Sequence, residues 1–260
     1  MRRALAVLAL LSATQAFGAS ETECQQSQIV ASYVRAVSSR AWLGELERLA
    51  TGGDRSAQVA LGQALGYQGL PWLERAAAEG SLFAVKLLHA HFASNAVLSK
   101  DSEERTGFEQ HAARWAHAGA KLNDLDMQRA LGDYFSEGKG IARDDGAAVR
   151  WWRAAAENGS SFAQNSLSKA LFEGRGAKRD SVEALKWAML AAQKINGPSF
   201  GRLQVFHLSG LRSGMSDAEI ALAEENARVW SSQYKQREHA KHDANERECG
   251  IREFDKGVVR

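Results

Sequence analysis

Trp115, Trp151 and Trp187 stand 36 residues apart, and Leu131, Leu167 and Leu203 keep the same interval. So do Gly138, Gly174 and Gly210, Gly140 and Gly176, and Asp144, Asp180 and Ser216. One column can align by accident, but five columns on one period define a structural repeat. A unit of this length cannot bury its apolar face alone, so the chain must fold by stacking neighbouring units.

Each column has a physical role. Met127, Leu131, Tyr134 and Phe135 share one face of a first helix. Gly138-Lys139-Gly140 stops it, since glycine takes the left-handed conformation of a C-terminal cap. Asp144 is placed to cap a second helix that carries Ala148, Trp151, Ala155 and Gly159 along one side. The next unit repeats the plan with Leu167, Gly174-Arg175-Gly176, Asp180, Ala184, Trp187 and Ala191. Asp180 with Glu183, and Ser216 with Glu219, have capping-box spacing. Equivalent positions imply equivalent burial for Trp151 and Trp187. Trp152 departs from the pattern, because its counterparts Leu73, Ala116 and Ala188 are smaller. It either fills a local gap, the favoured reading, or stands in a contact patch.

Two earlier units are altered. Trp72 to Gly80 matches Trp151 to Gly159, and Ala57 to Gly62 matches a first helix, but the leucine-to-tryptophan distance is 11 residues (Leu61 to Trp72) where Leu131 to Trp151 spans 20. That joint has lost nine residues. From Leu88 to Trp115 the distance is 27, seven too many. Seven residues make about two helical turns, so a lengthened second helix, capped by Asp101 with Glu104, is expected.

The composition agrees with an all-α chain. Of 260 residues only two are proline, and the 23 glycines must sit at joints because glycine costs about 1 kcal/mol inside a helix. The first 19 residues read as a signal peptide: Arg2 and Arg3, the apolar run Ala4 to Leu11, then small residues, with the mature chain beginning near Ala19 or Ser20. That run is too short to span a membrane, and no membrane insertion is expected after cleavage. Removing Arg2 and Arg3 takes Lys+Arg from 33 to 31 against 31 Asp+Glu, so the net charge falls from +2 to zero. A neutral chain has no general attraction for nucleic acid, and none is expected as a partner. Residues 20–54 supply an N-terminal capping helix region, in which Val30, Val34, Trp42, Leu46 and Leu49 can cover the first unit. Residues 231–260 form a charged C-terminal tail, expected as a fraying helix followed by disorder. The cysteines, Cys24 and Cys249, lie outside the repeats and permit a disulfide in an oxidising compartment, with free thiols or pairing between chains as alternatives.

The run Leu131-Gly132-Asp133-Tyr134-Phe135-Ser136-Glu137-Gly138-Lys139-Gly140-Ile141, followed by Ala148 through Trp151-Trp152 to Gly159, resembles the Sel-1-like repeat family, a relative of the tetratricopeptide repeat. The resemblance covers about residues 55–230 and is densest over 114–193; Ser216 to Trp230 is similar to the closing helix of bacterial members. It implies an α/α superhelical solenoid of two-helix units and an adaptor or scaffold role in the bacterial cell envelope, periplasmic or secreted. Some relatives close each repeat with a disulfide and are linked to β-lactam or cell-wall binding and hydrolysis; no cysteine falls inside a repeat here.

No zinc-protease helix, phosphate-cradling loop or nucleophile elbow is present, so no catalytic residue, cofactor or metal site is assigned. His239, His242, Asp243 and Cys249 could gather a metal, but in a charged tail they read as surface residues. By comparison with tetratricopeptide units, the first helices line the groove, which brings the positions two before and two after each repeat leucine into it. Those are Lys86 and Ala90, Arg129 and Asp133, and Asn165 and Lys169. Being polar and mixed in sign, they suit a polar peptide or charged loop of another protein, or else form a solvated face. The expected function is thus a non-enzymatic, monomeric protein-binding scaffold, with a protein that binds or modifies peptidoglycan or polysaccharide as the alternative.

Overall fold

Asp124, Asp144 and Ser160 each turn a side-chain oxygen onto a free amide at a helix start, and Gly138 and Gly174 turn the chain at helix ends. The computed structural model describes residues 40–194 and 208–248, and all regular structure among them is helical. The described residues divide into two compact units between Leu87 and Leu88, with the division falling inside one helix.

In the first unit, α1 (Arg40–Thr51), α2 (Arg55–Leu65) and α3 (Leu70–Ala78) precede α4 (Leu82–Leu98), which runs into the second unit. Leu46, Ala50, Ala57, Ala60 and Leu61 form the core between α1 and α2, with Leu49 and Trp72 partly buried against it. Val30 and Val34 lie outside the described residues. The nine-residue deletion is taken up by a single 3₁₀ turn, Gly66–Gly69, and by Pro71 at the start of α3. The joint closes because two glycines meet. A Cβ on Gly69 would stand 2.1 Å from the Gly62 carbonyl oxygen.

In the second unit, α5 (Ser102–Lys121), α6 (Leu125–Glu137), α7 (Asp145–Glu157), α8 (Ser161–Glu173), α9 (Ser181–Lys194) and α10 (Asp217–Glu248) pack each on the next, the arrangement of a helical solenoid. The lengthened helix is α5, 20 residues long and capped by Asp101, which accepts from the Glu103 and Glu104 amides at 2.9 and 2.8 Å. Glu104 itself accepts from the Ser99 hydroxyl.

The Ser216 capping box is complete: Glu219 Oε2 accepts from the Ser216 amide at 2.8 Å, and the Glu219 amide donates to Ser216 Oγ at 3.4 Å. At Asp180 only half of it forms. The Glu183 amide donates to Asp180 Oδ1 at 2.8 Å, but the Glu183 carboxylate pairs with Arg153 and accepts from Trp187 Nε1 at 3.2 Å. Asp144 accepts from the Ala147 amide at 2.8 Å. Asp144→Ala should therefore cost about 1 kcal/mol in chemical unfolding, and Asp144→Asn much less.

The paired glycines do two jobs. Gly138 and Gly174 are left-handed caps at φ 68° and 69°. Gly140 and Gly176, also at positive φ, lie where another backbone crosses: a Cβ would stand 2.2 Å from the Glu109 carbonyl and 2.0 Å from the Asp145 oxygen. Gly210 is no cap, since residues 208–212 are helical.

The tryptophan column is not uniform. Trp187 is 1% exposed, whereas Trp151 is only half-buried. The equality expected from the period fails because the two rings have different covers. Trp230 of α10 meets Trp187 at 5.6 Å between centroids, while His117 stands perpendicular to Trp151 at 6.4 Å.

Helix α10 continues past Trp230 to Glu248. Tyr234 stacks on Trp230 at 4.9 Å, its ring covers Gly159, and Arg237 donates to the Glu157 carbonyl at 3.2 Å. No helix among the described residues is long and apolar enough to cross a membrane. Residues 1–19, read above as a signal peptide, and Cys24 and Cys249 lie outside the described residues.

Candidate functional site

Helices α4, α5 and α6, with the turn after α6, enclose a cleft of about 630 Å³ within the second unit. Its floor is small and apolar: Ala93 and Ala96 from α4 and Ala130 from α6. Charged side chains from α5 and α6 stand around that floor, and Val97, 84% exposed, lies on the rim.

Two of the groove residues expected from sequence, Arg129 and Asp133, line this cleft together. They are one helical turn apart and pair at 2.5 Å. Asp133 is also held from behind, since its Oδ1 accepts from Trp152 Nε1 at 2.9 Å. The indole reaches it because residue 132 is glycine: a Cβ there would stand 2.5 Å from the Trp152 ring. Trp152 thus fills a gap, 5% exposed, and its one polar atom fixes a carboxylate at the cleft. Burial raises the Asp133 carboxyl above the ordinary aspartate range, against the pull of Arg129 and the indole hydrogen bond.

The Arg129 guanidinium also lies 5.9 Å from the centroid of Phe162, a ring of α8 that is 50% exposed. This carries the polar face from α6 to α8, where Asn165 is half-buried and Lys169 exposed; neither lines the cleft. Lys86 is half-buried on α4 and belongs to the first unit, and Ala90 is exposed on the same helix.

Sequence reasoning missed His89, Arg105, Glu109 and Tyr134 as cleft residues. His89 Nε2 and the Tyr134 hydroxyl are 3.3 Å apart, with the rings edge to face. Burial pushes Tyr134 up to about 12, the Glu109 charge adding to it, so its hydroxyl stays protonated and serves as a hydrogen-bonding group. Burial, then the Arg129 charge, lowers His89 and favours neutral imidazole. Lys139 pairs with Glu137 at 2.6 Å, and Arg105 donates to the Ser99 carbonyl at 2.9 Å. The one available signal was the seven-residue excess, because Arg105 lies in the extra turns of α5.

The Sel1 repeat family matches residues 56–81, 125–160 and 161–196. The chain therefore carries Sel1 repeats, and the stretch with the lengthened helix falls between two matches. No curated protein matches the chain. Among solved structures it is similar to a protective antigen of uropathogenic Escherichia coli displaying an SLR fold, at 20% identity and TM-score 0.60, over 92% of this chain and 51% of that one. It thus spans about half that antigen's length. It is also similar to a Sel1 repeat protein from Oxalobacter formigenes, at 20% identity and TM-score 0.50, over 83% of this chain and 88% of that one. These likenesses carry the fold.

Proposed function

We propose that this chain of Sel1 repeats is a non-enzymatic scaffold of the bacterial cell envelope that binds a polypeptide segment along its first-helix face. The reading is carried by the cleft and its continuation onto α8, where charged, aromatic and small apolar groups alternate on one open surface. Repeat arrays bind through such extended surfaces, each unit contributing a few side chains. Arg129 is preorganised by Asp133 and Trp152, so little side-chain freedom is lost when it meets a partner. The envelope placement rests on residues 1–19, whose sequence has the plan of a signal peptide.

The test is selection of a displayed random-peptide library on the immobilised chain, followed by affinity measurement on variants. Arg129→Ala and Lys169→Ala should each weaken an enriched peptide about tenfold, or about 1.4 kcal/mol, with the unfolding midpoint little changed. Enriched peptides whose affinity moves less than twofold in both variants would place binding elsewhere. Retention on purified peptidoglycan, with no peptide enriched, would replace the reading with a cell-wall one.

A further inference from the structure

We propose that the cleft receives a lysine or arginine side chain of the bound polypeptide, with Glu109 as its counter-charge. This rests on the groove reading above and names the chemistry of its occupant.

The charges of the cleft are mostly spoken for. Arg129 pairs with Asp133 and Lys139 with Glu137, Lys139 also feeling the Glu109 charge, while Arg105 donates to a backbone carbonyl. Glu109 is the exception. It is half-buried on α5, lines the cleft, and among the described residues no hydrogen bond or ion pair reaches its carboxylate.

The repeat shows why. Asp145, one period on from Glu109, pairs with Arg143 at 2.9 Å. The position equivalent to Arg143 is Gly107, so the local partner is missing. The two acids occupy matching places in the backbone, since Gly140 packs on Glu109 as Gly176 packs on Asp145. The units differ in that Arg143 precedes its helix and reaches Asp145, whereas Gly107 lies inside α5 and has no side chain to offer Glu109.

A half-buried carboxylate has lost part of its hydration without gaining a donor, so an incoming ammonium or guanidinium recovers that loss. The surroundings suit such a group. Alanines 93, 96 and 130 give its methylene stem an apolar wall. The Tyr134 ring lines the same cleft, and burial disfavours the charged form of His89. Tyr134 already senses the Glu109 charge, which places the two groups within electrostatic reach.

Library selection on wild type, Glu109→Gln and Glu109→Lys decides the matter, with circular dichroism to show that each variant folds. Peptides enriched on wild type should share one Lys or Arg in a fixed register. Replacing that residue by norleucine should weaken wild-type binding at least tenfold and Glu109→Gln binding less than twofold, because the two changes remove one interaction. Glu109→Lys should enrich acidic residues at the same register. Enrichment without a basic position, or an unmodified basic peptide that binds Glu109→Gln within twofold of wild type, overturns the assignment. If those peptides still depend on Arg129 and Lys169, the groove reading survives; if no peptide is enriched, both fall.

Discussion

Trp187→Ala is expected to destabilise the fold by about 3–5 kcal/mol, and Trp151→Ala by only roughly 1–2 kcal/mol, although the two residues occupy the same repeat position. Trp187 is 1% exposed and packs with Leu185, Leu190 and Ala191 of α9, beneath Trp230. Deleting its ring leaves a cavity that three helices would have to collapse to fill, and collapse is incomplete in a close-packed interior. It also strips the Glu183 carboxylate of an indole donor. Trp151 is half-buried against Met127, Leu131 and Tyr134, with one side toward solvent. Removing it lets water occupy part of the space. Urea unfolding of both variants, followed by far-ultraviolet circular dichroism, gives the comparison; equal losses would mean that the period governs energetics after all.

The second large effect is expected at the inner glycines. Gly140→Ala and Gly176→Ala should each cost about 3–5 kcal/mol, from the left-handed backbone and from overpacking together. The added carbon would stand 2.2 Å or less from backbone atoms of Glu109 or Asp145, and backbone cannot rotate aside as a side chain can. Gly174→Ala is the control. It shares the positive φ, but its new carbon meets Arg179 Cβ at an ordinary 3.5 Å, so about 1–2 kcal/mol is expected. Midpoints of thermal unfolding for the three variants should rank accordingly, and a Gly174 effect as large as Gly176 would contradict the close-approach account.

These two cases show where sequence reading succeeds. Asp101, Asp144, Asp180 and Ser216 were legible as caps because capping is local, one side chain and the amides two or three residues on, though Asp124 and Ser160 cap helices as well and went unread. Gly138 and Gly174 were legible for the same reason. Gly140 and Gly176 looked like part of the same stop signal, yet their partners lie 31 residues upstream, and no local rule reports that. The unequal burial of Trp151 and Trp187 likewise depends on what covers each ring, which the column does not encode.

The candidate site was legible only in its framework. Placing first helices toward the groove put Arg129 and Asp133 together in the cleft. The parts specific to this chain come from departures, where the signal is an irregularity without an evident purpose. Extra turns bring Arg105, a large residue at an alanine position ties Trp152 to Asp133, and Glu109, with glycine at 107, has no ion pair like that of Asp145. Gln58 and Gln164, each three residues before the repeat leucine, went unnoticed too. Both are fully buried and donate to the carbonyls of Ala50 and Ala156, polar ties between neighbouring helices that an apolar-face reading passes over.

The long closing helix bears on how copies of this chain meet. An array of similar units ends in a surface shaped to receive one more, and such a surface can accept the leading edge of another molecule, generating open-ended fibres. Here α10 lies across α9, with Trp230 on Trp187 and Ala223 and Ala227 in the same core. Tyr234 and Arg237 hold the helix a further turn along, against Gly159 and Glu157. The docking face for a following unit is thereby occupied from within, which closes one route to head-to-tail polymerisation.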